Sequence, residues 1–138
     1  TGWLGTNYAG KVGSALDALN RRDAAFVHIE APDETAHQGR SDLKIQAIEE
    51  YDQNVVLPCL EYQERHPDTR ILAAPDHFTL ISTKTHAGGP VPFALCGPGV
   101  PVDANTAYSE GLAAASGILI AEGHRLVRSF LCDPVIAL

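Results

Sequence analysis

Residues 24–37 read AAFVHIEAPDETAH, an apolar run, then a proline, then an aspartate and a histidine four positions apart. The run Ala24–Ile29 has the length of a strand and is nearly continuous, which favours a strand covered on both faces. Pro32 suits the first turn of a helix, where its missing N–H is not needed. One helical turn would place Asp33 and His37 on the same face. The stretch predicts a buried strand followed by a helix that bears two polar side chains.

Similar apolar and helical segments alternate along the rest of the chain. After a loop over Thr1–Gly10, we predict helices over Lys11–Arg22, Arg40–Glu64 (interrupted at Pro58) and Ser109–Glu122 (ended by Gly123). We predict further strands over Arg70–Ala74 and Val91–Cys96, and a short extended stretch over Phe78–Ser82. Strands that alternate with helices indicate βαβ units. The sequence therefore predicts an α/β fold, a layered sandwich with a mainly parallel sheet, forming a single domain over residues 1–138.

Composition narrows the class of protein. The 138 residues are 45% hydrophobic and 20% charged, which is ordinary for a globular domain. A formal net charge of −7, with scattered Lys and Arg, argues against nucleic-acid binding. No apolar run approaches the roughly 20 residues needed to cross a membrane. Cys59, Cys96 and Cys132 are widely spaced and form no CxxC motif, so we expect reduced thiols in a cytoplasmic protein.

Polar side chains also follow the second predicted strand. Pro75 ends that strand, and Asp76 and His77 come directly after it. Because open α/β sheets bind ligands at the carboxyl ends of their strands, this pair should converge with Asp33 and His37. His86 lies in a nearby Thr- and Gly-rich loop. Because these side chains should lie close together, the sequence predicts a metal-binding domain. Carboxylate and imidazole ligands without thiolates favour manganese, magnesium or zinc over softer metals.

The order of these motifs matches a known family. The quoted set is Asp33-x-x-x-His37, Pro75-Asp76-His77, and Lys84-Thr85-His86 leading into Pro90-Val91-Pro92-Phe93. It resembles the cofactor-independent phosphoglycerate mutases, most closely the archaeal-type branch within the alkaline phosphatase superfamily. The phrases Val27–Glu34 and Thr1–Tyr8 are similar to that branch as well. The resemblance spans nearly the whole chain but only the last part of such an enzyme.

The resemblance implies two divalent metal ions, with manganese favoured and magnesium or zinc as alternatives. Asp33, His37 and His86 would hold one ion, and Asp76 and His77 would hold the second. In the family, an N-terminal Asp and a nucleophilic Ser complete the second site, and the Ser passes the phosphoryl group between 3-phosphoglycerate and 2-phosphoglycerate. Neither residue has a counterpart here. We therefore expect the C-terminal part of a larger phosphatase-like domain that is inactive alone and exposes apolar surface for self-association.

Two other functions stay open from the sequence. One is another phosphohydrolase or phosphomutase of the same superfamily, since the metal motifs alone do not define the substrate. The other is a non-catalytic metal-binding module that keeps the fold. The phrase Glu30-Ala31-Pro32-Asp33-Glu34 favours the mutase over both.

Overall fold

The computed structural model describes residues 3–138 and confirms an α/β chain. Its elements, in chain order, are α1 (Tyr8–Leu19), α2 (Ala31–His37), α3 (Ser41–Tyr51), a π-helical turn (Asp52–Val56), α4 (Leu57–Arg65), β1 (Ile71–Ala73), β2 (Phe78–Leu80), β3 (Thr85–Ala87), β4 (Ala94–Cys96), α5 (Glu110–Ala115) and α6 (Gly123–Cys132). No helix of the described part has the length and apolar character to cross a membrane.

The described residues form two compact units. The first unit comprises the described residues up to Tyr62 together with Phe78–Gly88, and the second comprises Gln63–His77 and Gly89–Leu138. Helices α1 to α3 and the β2–β3 pair belong to the first unit. The β1–β4 pair and helices α5 and α6 belong to the second.

Helix α1 opens the first unit and starts earlier than predicted. The side chain of Asn7 caps it by accepting a hydrogen bond from the Gly10 N–H at 2.9 Å. Of the predicted loop Thr1–Gly10, Thr1 and Gly2 lie outside the described residues, and the loop gives way to helix at Tyr8. Because the cap satisfies a free N–H of the first turn, the helix can begin ahead of its amphipathic stretch.

The long helical segment predicted over Arg40–Glu64 is interrupted near Pro58, as expected. Helix α3 passes into the π-helical turn Asp52–Val56, where the Leu57 N–H bonds to the Asp52 carbonyl. Pro58 has no N–H, and in a regular α-helix its ring would collide with the carbonyl four residues earlier. The wider π-helical turn avoids that collision, and α4 resumes at Leu57.

The core of the first unit is a cluster of Tyr8, Val12 and Val55. Burial, and then the hydrogen bond to Glu50 Oε2 at 3.2 Å, together raise the pKa of the Tyr8 hydroxyl to about 12. The bond joins α1 to α3, so the core and its polar rim hold these two helices together.

The predicted strand Ala24–Ile29 is wrong, because these residues carry no regular secondary structure. Val27 and Ile29 pack against the core cluster, whereas Phe26 is 88% exposed. The prediction that other residues cover this segment on both faces is therefore wrong as well. A strand requires backbone partners, and none of the strands in residues 3–138 pairs with this run.

The other predicted extended segments exist but are short: Arg70–Ala74 contains β1, Phe78–Ser82 contains β2 and Val91–Cys96 contains β4, and all pair antiparallel. The loop predicted around His86 is wrong in part, because Thr85–Ala87 form β3 as the partner of β2. In the second unit β1 pairs with β4, with Leu72 opposite Leu95. In the first unit β2 pairs with β3, with Thr79 opposite His86. Residues 81–84 make a tight turn between β2 and β3, far shorter than the crossover of a dozen or more residues that a parallel pair needs. The predicted mainly parallel sheet is not confirmed.

Arg70 ties together the second unit. Its guanidinium donates to four backbone carbonyls, those of Pro98 (2.7 Å), Phe130 (3.0 Å), Asp133 (2.7 Å) and Pro134 (2.9 Å). The Ile136 N–H also bonds to the Gly99 carbonyl at 2.9 Å, and the Ile136 side chain is fully buried. The residues after α6 are thereby held against the loop that follows β4.

The predicted helix Ser109–Glu122 is only partly confirmed. Ser109 caps α5 by accepting a hydrogen bond from the Leu112 N–H at 3.3 Å, and the helix ends at Ala115. Gly117 follows with a φ of 72°, a left-handed conformation that commonly ends helices. Gly123 begins α6 instead of ending the predicted helix, so that assignment was wrong.

Candidate metal centre

Helix α2 places Asp33 and His37 together, as the spacing predicts. His37 Nε2 lies 3.4 Å from Asp33 Oδ2. Pro32 sits in the first turn, where its missing N–H costs nothing, and Thr35 Oγ1 donates to the Ala31 carbonyl at 2.7 Å. These local bonds fix a short helix of seven residues that would be marginal alone.

The β2–β3 hairpin adds His86 to this pair. His86 Nε2 lies 3.3 Å from Asp33 Oδ1 and 3.1 Å from His37 Nε2. Two imidazole nitrogens therefore approach different oxygens of one carboxylate. We call Asp33, His37 and His86 the Asp33 group.

The Lys84 carbonyl defines the tautomer of His37. It lies 2.9 Å from His37 Nδ1, and a carbonyl oxygen can only accept a hydrogen bond. Nδ1 therefore carries the proton, which leaves the Nε2 lone pair facing Asp33 and His86. A carbonyl behind a metal-binding histidine is a common support for such ligands.

The carbonyl is presented by an unusual backbone conformation at Lys84. This residue has a φ of 56°, in the left-handed region, and its N–H bonds to the Leu80 carbonyl at 2.8 Å. Its side chain lies over Gly39, whose φ is 74°; a Cβ there would come 2.6 Å from Lys84 Cε. The Lys84 side chain is flexible at this end and can move aside, so the positive φ is the main reason for a glycine at position 39.

Thr79 supports the carboxylate of the Asp33 group. Its hydroxyl donates a short hydrogen bond to Asp33 Oδ1. Its carbonyl accepts from Lys44 Nζ at 2.8 Å. Thr79 is not among the site residues that the sequence predicts. The signal available was its position, two residues after His77 in a short apolar strand.

Asp76 and His77 lie in the second unit, between β1 and β2. His77 Nε2 is 3.5 Å from Asp76 Oδ2, and the Asp76 side chain is 72% exposed. The two residues offer one carboxylate and one imidazole, the same donor types as the Asp33 group. We call them the Asp76–His77 pair.

The chemistry of the Asp33 group fits a divalent cation. One carboxylate and two imidazole nitrogens lie close together, with distances of 3.1 to 3.4 Å between their nearest atoms. Two imidazoles that present Nε2 atoms to each other need either a shared proton or a cation between them. Oxygen and nitrogen donors without sulfur suit manganese, magnesium or zinc.

The fold and this group define a class of protein. The sequence profile of the Metalloenzyme superfamily matches residues 4–123, most of the chain, and the chain belongs to that superfamily. Membership supports the use of a divalent metal, in agreement with the donor set of the Asp33 group.

Curated relatives within the class carry a more particular name. A protein of Methanothrix thermoacetophila, 2,3-bisphosphoglycerate-independent phosphoglycerate mutase, is 48% identical over 93% of this chain and 33% of its own length. A probable enzyme of that name from Geobacter sulfurreducens is 42% identical over 95% of this chain and 33% of its own length. A third, from Methanosarcina mazei, is 51% identical over 69% of this chain and 24% of its own length. The resemblance to these mutases, which are isomerases, is confirmed.

These matches show how much of a relative's length this chain covers. The chain spans about a third of the length of the Methanothrix and Geobacter relatives, which agrees with the expected C-terminal segment of a larger enzyme. A solved structure shows a comparable share. The PH0037 protein of Pyrococcus horikoshii superposes with a TM-score of 0.74 at 29% identity, covering 83% of this chain and 34% of that protein.

Proposed function

We propose that this chain is the C-terminal, metal-binding part of a 2,3-bisphosphoglycerate-independent phosphoglycerate mutase. The complete enzyme would interconvert 3-phosphoglycerate and 2-phosphoglycerate, small-molecule substrates. The observation that carries the proposal is the meeting of Asp33, His37 and His86 in a chain 48% identical to a relative of that name.

The five predicted ligands divide between two ions in this proposal. Asp33, His37 and His86 hold one, and Asp76 and His77 contribute to the other. Manganese is the favoured metal, with magnesium and zinc as alternatives. When bound, the ions would neutralise charge on the phosphoryl oxygens and lower the pKa of the nucleophile.

The residues of this chain prepare the first site in three ways. Asp33 supplies the negative charge that attracts a cation. The Lys84 carbonyl keeps the proton of His37 on Nδ1, away from the metal side. The Asp33 group faces solvent enough for a phosphate ester to approach, since the His86 side chain is 54% exposed.

The nucleophilic serine of the family would come from another part of the enzyme in this proposal. No serine of this chain matches the family nucleophile, so we propose that residues 1–138 alone have negligible mutase activity. We place the chain in the cytoplasm, with neither a membrane nor nucleic acid as a partner.

The layered, mainly parallel sheet also belongs to this proposal. Residues 1–138 would be the C-terminal part of one phosphatase-like metal-binding domain. Ala24–Ile29 would then lie against the rest of the enzyme. The exposed Phe26 beside inward-packed Val27 and Ile29 supports this, since one apolar side remains uncovered. The same surface would promote self-association of the isolated chain.

The test is an assay of the full-length protein with Mn²⁺. It should interconvert 3-phosphoglycerate and 2-phosphoglycerate, and Asp33→Asn should lower kcat by about 100-fold or more, because a charged ligand is lost. Asp23→Asn, the same change at an exposed position outside both metal groups, is the matched control and should retain full activity.

Other outcomes would replace the proposal. Hydrolysis of simple phosphate esters without mutase activity would identify a related phosphohydrolase. Absence of any turnover, with Mn²⁺ uptake that Asp33→Asn lowers, would indicate a non-catalytic metal-binding module. Robust mutase turnover by residues 1–138 alone would contradict the proposed need for an outside nucleophile.

A further inference from the structure

Thr79 meets Asp33 on the side of the carboxylate that His86 also approaches. The Thr79 hydroxyl donates to Asp33 Oδ1, and His86 Nε2 lies 3.3 Å from the same oxygen. His37 Nε2 approaches the other oxygen, Oδ2, at 3.4 Å. We propose that Thr79 is a positioning residue that sets the rotation of the Asp33 carboxylate for metal binding; this inference rests on the proposed metal site.

The argument begins with the freedom of an aspartate side chain. The torsion that rotates a carboxylate about its Cβ–Cγ bond is broad and roughly two-fold, so sterics alone fix it poorly. A hydrogen bond to one oxygen removes that freedom. With Oδ1 bound by Thr79, the second oxygen is held toward His37.

Thr79 can do this because its own position is well determined. The residue is 5% exposed and lies in β2, directly opposite His86 in β3. Its carbonyl accepts from Lys44 Nζ, on α3, at 2.8 Å. Its backbone is therefore fixed on both sides, by a strand partner and by a charged donor from a helix.

Thr79 thus contributes to the placement of two members of the Asp33 group. The hydroxyl of Thr79 contacts the carboxylate of Asp33 on α2, while its backbone sets the register of His86 on β3.

Two substitutions separate positioning from packing. Thr79→Val keeps the branched shape but removes the hydroxyl, so the fold should persist while the carboxylate is released. Thr79→Ser keeps the hydroxyl but removes a buried methyl group, so thermal stability should fall while metal binding persists.

The experiment measures Mn²⁺ affinity of this chain by calorimetric titration, with melting temperatures recorded in a chelator. We expect Thr79→Val to bind Mn²⁺ about 10- to 100-fold more weakly, the usual cost of losing a partner of a metal ligand. Thr79→Ser should stay within about threefold of the unmodified chain, a residual change well below that cost. Its melting temperature should nevertheless fall below that of Thr79→Val.

Three results would overturn the inference. Thr79→Val could bind Mn²⁺ as tightly as the unmodified chain while Asp33→Asn does not; the metal site would then stand without a role for Thr79. Thr79→Ser could weaken binding as much as Thr79→Val, which would assign the effect to packing. Failure of the unmodified chain to bind either Mn²⁺ or Zn²⁺ would overturn the metal site itself, and the role of Thr79 with it.

Discussion

The Asp33 group and the Asp76–His77 pair use the same donor types but are built differently. The Asp33 group gathers residues from α2 and β3, and Thr79 and Lys84 support it from outside. The Asp76–His77 contact joins neighbours in sequence, and the Asp76 side chain is 72% exposed, against 32% for Asp33. The fold itself therefore organises the Asp33 group. In the proposed function, the Asp76–His77 pair would depend more on ligands from outside the pair.

The largest effect should come from removing the charge in each group separately. Asp33→Asn should weaken Mn²⁺ binding by this chain by more than about 100-fold, beyond the usual cost of losing an outer partner. Asp76→Asn should weaken it by about tenfold or less, since an exposed carboxylate contributes less attraction in water. Calorimetric titration of both variants measures the difference. Equal losses of Mn²⁺ affinity in the two variants would show that the Asp33 group and the Asp76–His77 pair contribute equally to binding.

A smaller effect should follow from disturbing the support of the Asp33 group without touching a ligand. In Gly39→Ala, a Cβ would come 2.6 Å from Lys84 Cε, at a φ of 74°. We expect a loss of about 1–2 kcal/mol in the free energy of unfolding. Mn²⁺ affinity should also fall, by up to about tenfold, because the strained backbone lies two residues after His37.

Gly88→Ala is the control for that substitution. A Cβ at Gly88 meets no atom within 4 Å, and this glycine has no positive φ. Urea unfolding and Mn²⁺ titration should both resemble those of the unmodified chain. If Gly39→Ala destabilises the chain but leaves Mn²⁺ affinity intact, the backbone at position 39 does not help to position His37.

An effect that vanishes at neutral pH concerns the scaffold behind the Asp33 group. The pKa of Tyr8 is raised to about 12 in the folded chain, by burial first and then by Glu50. The folded state therefore holds this proton more tightly than the unfolded state does. Tyr8 contributes its full stability below pH 10 and loses it as pH rises from 10 toward 12.

Tyr8→Phe isolates that contribution. Between pH 9 and 11.5, metal-free urea unfolding should show the unmodified chain losing about 2 kcal/mol more than the variant does. Tyr51, whose pKa is also raised by burial, is present in both proteins and cancels in the comparison. Parallel pH curves for the two proteins would contradict the assignment.

Local chemistry made the first site largely predictable from sequence. Pro32 starts α2, and the four-residue spacing sets Asp33 beside His37. Both follow from bonds within one helical turn, so neighbouring residues suffice to predict them. The assignment of these side chains as metal ligands stays a prediction.

Long-range pairing was not predictable in the same way. Ala24–Ile29 has the composition of a strand, yet no described strand lies beside it to accept its hydrogen bonds. The role of Thr79 depends on register, since only the pairing of β2 with β3 sets it opposite His86 and near Asp33. The amino-acid composition of a segment predicts neither which strand it pairs with nor the register of that pairing.

The π-helical turn Asp52–Val56 makes the first unit sensitive to changes in length. It contains Val55, from the core cluster, and precedes Cys59, which packs against that cluster. Deleting its extra residue would restore α-helical spacing and bring the Pro58 ring against the carbonyl four residues earlier. Inserting one residue would instead rotate the rest of α4 by about 100° about the helix axis and move Cys59 out of the cluster. Substitutions in this segment change a side chain, whereas a change in length disturbs the helix that follows, so natural variation here should preserve residue number more strictly than residue type.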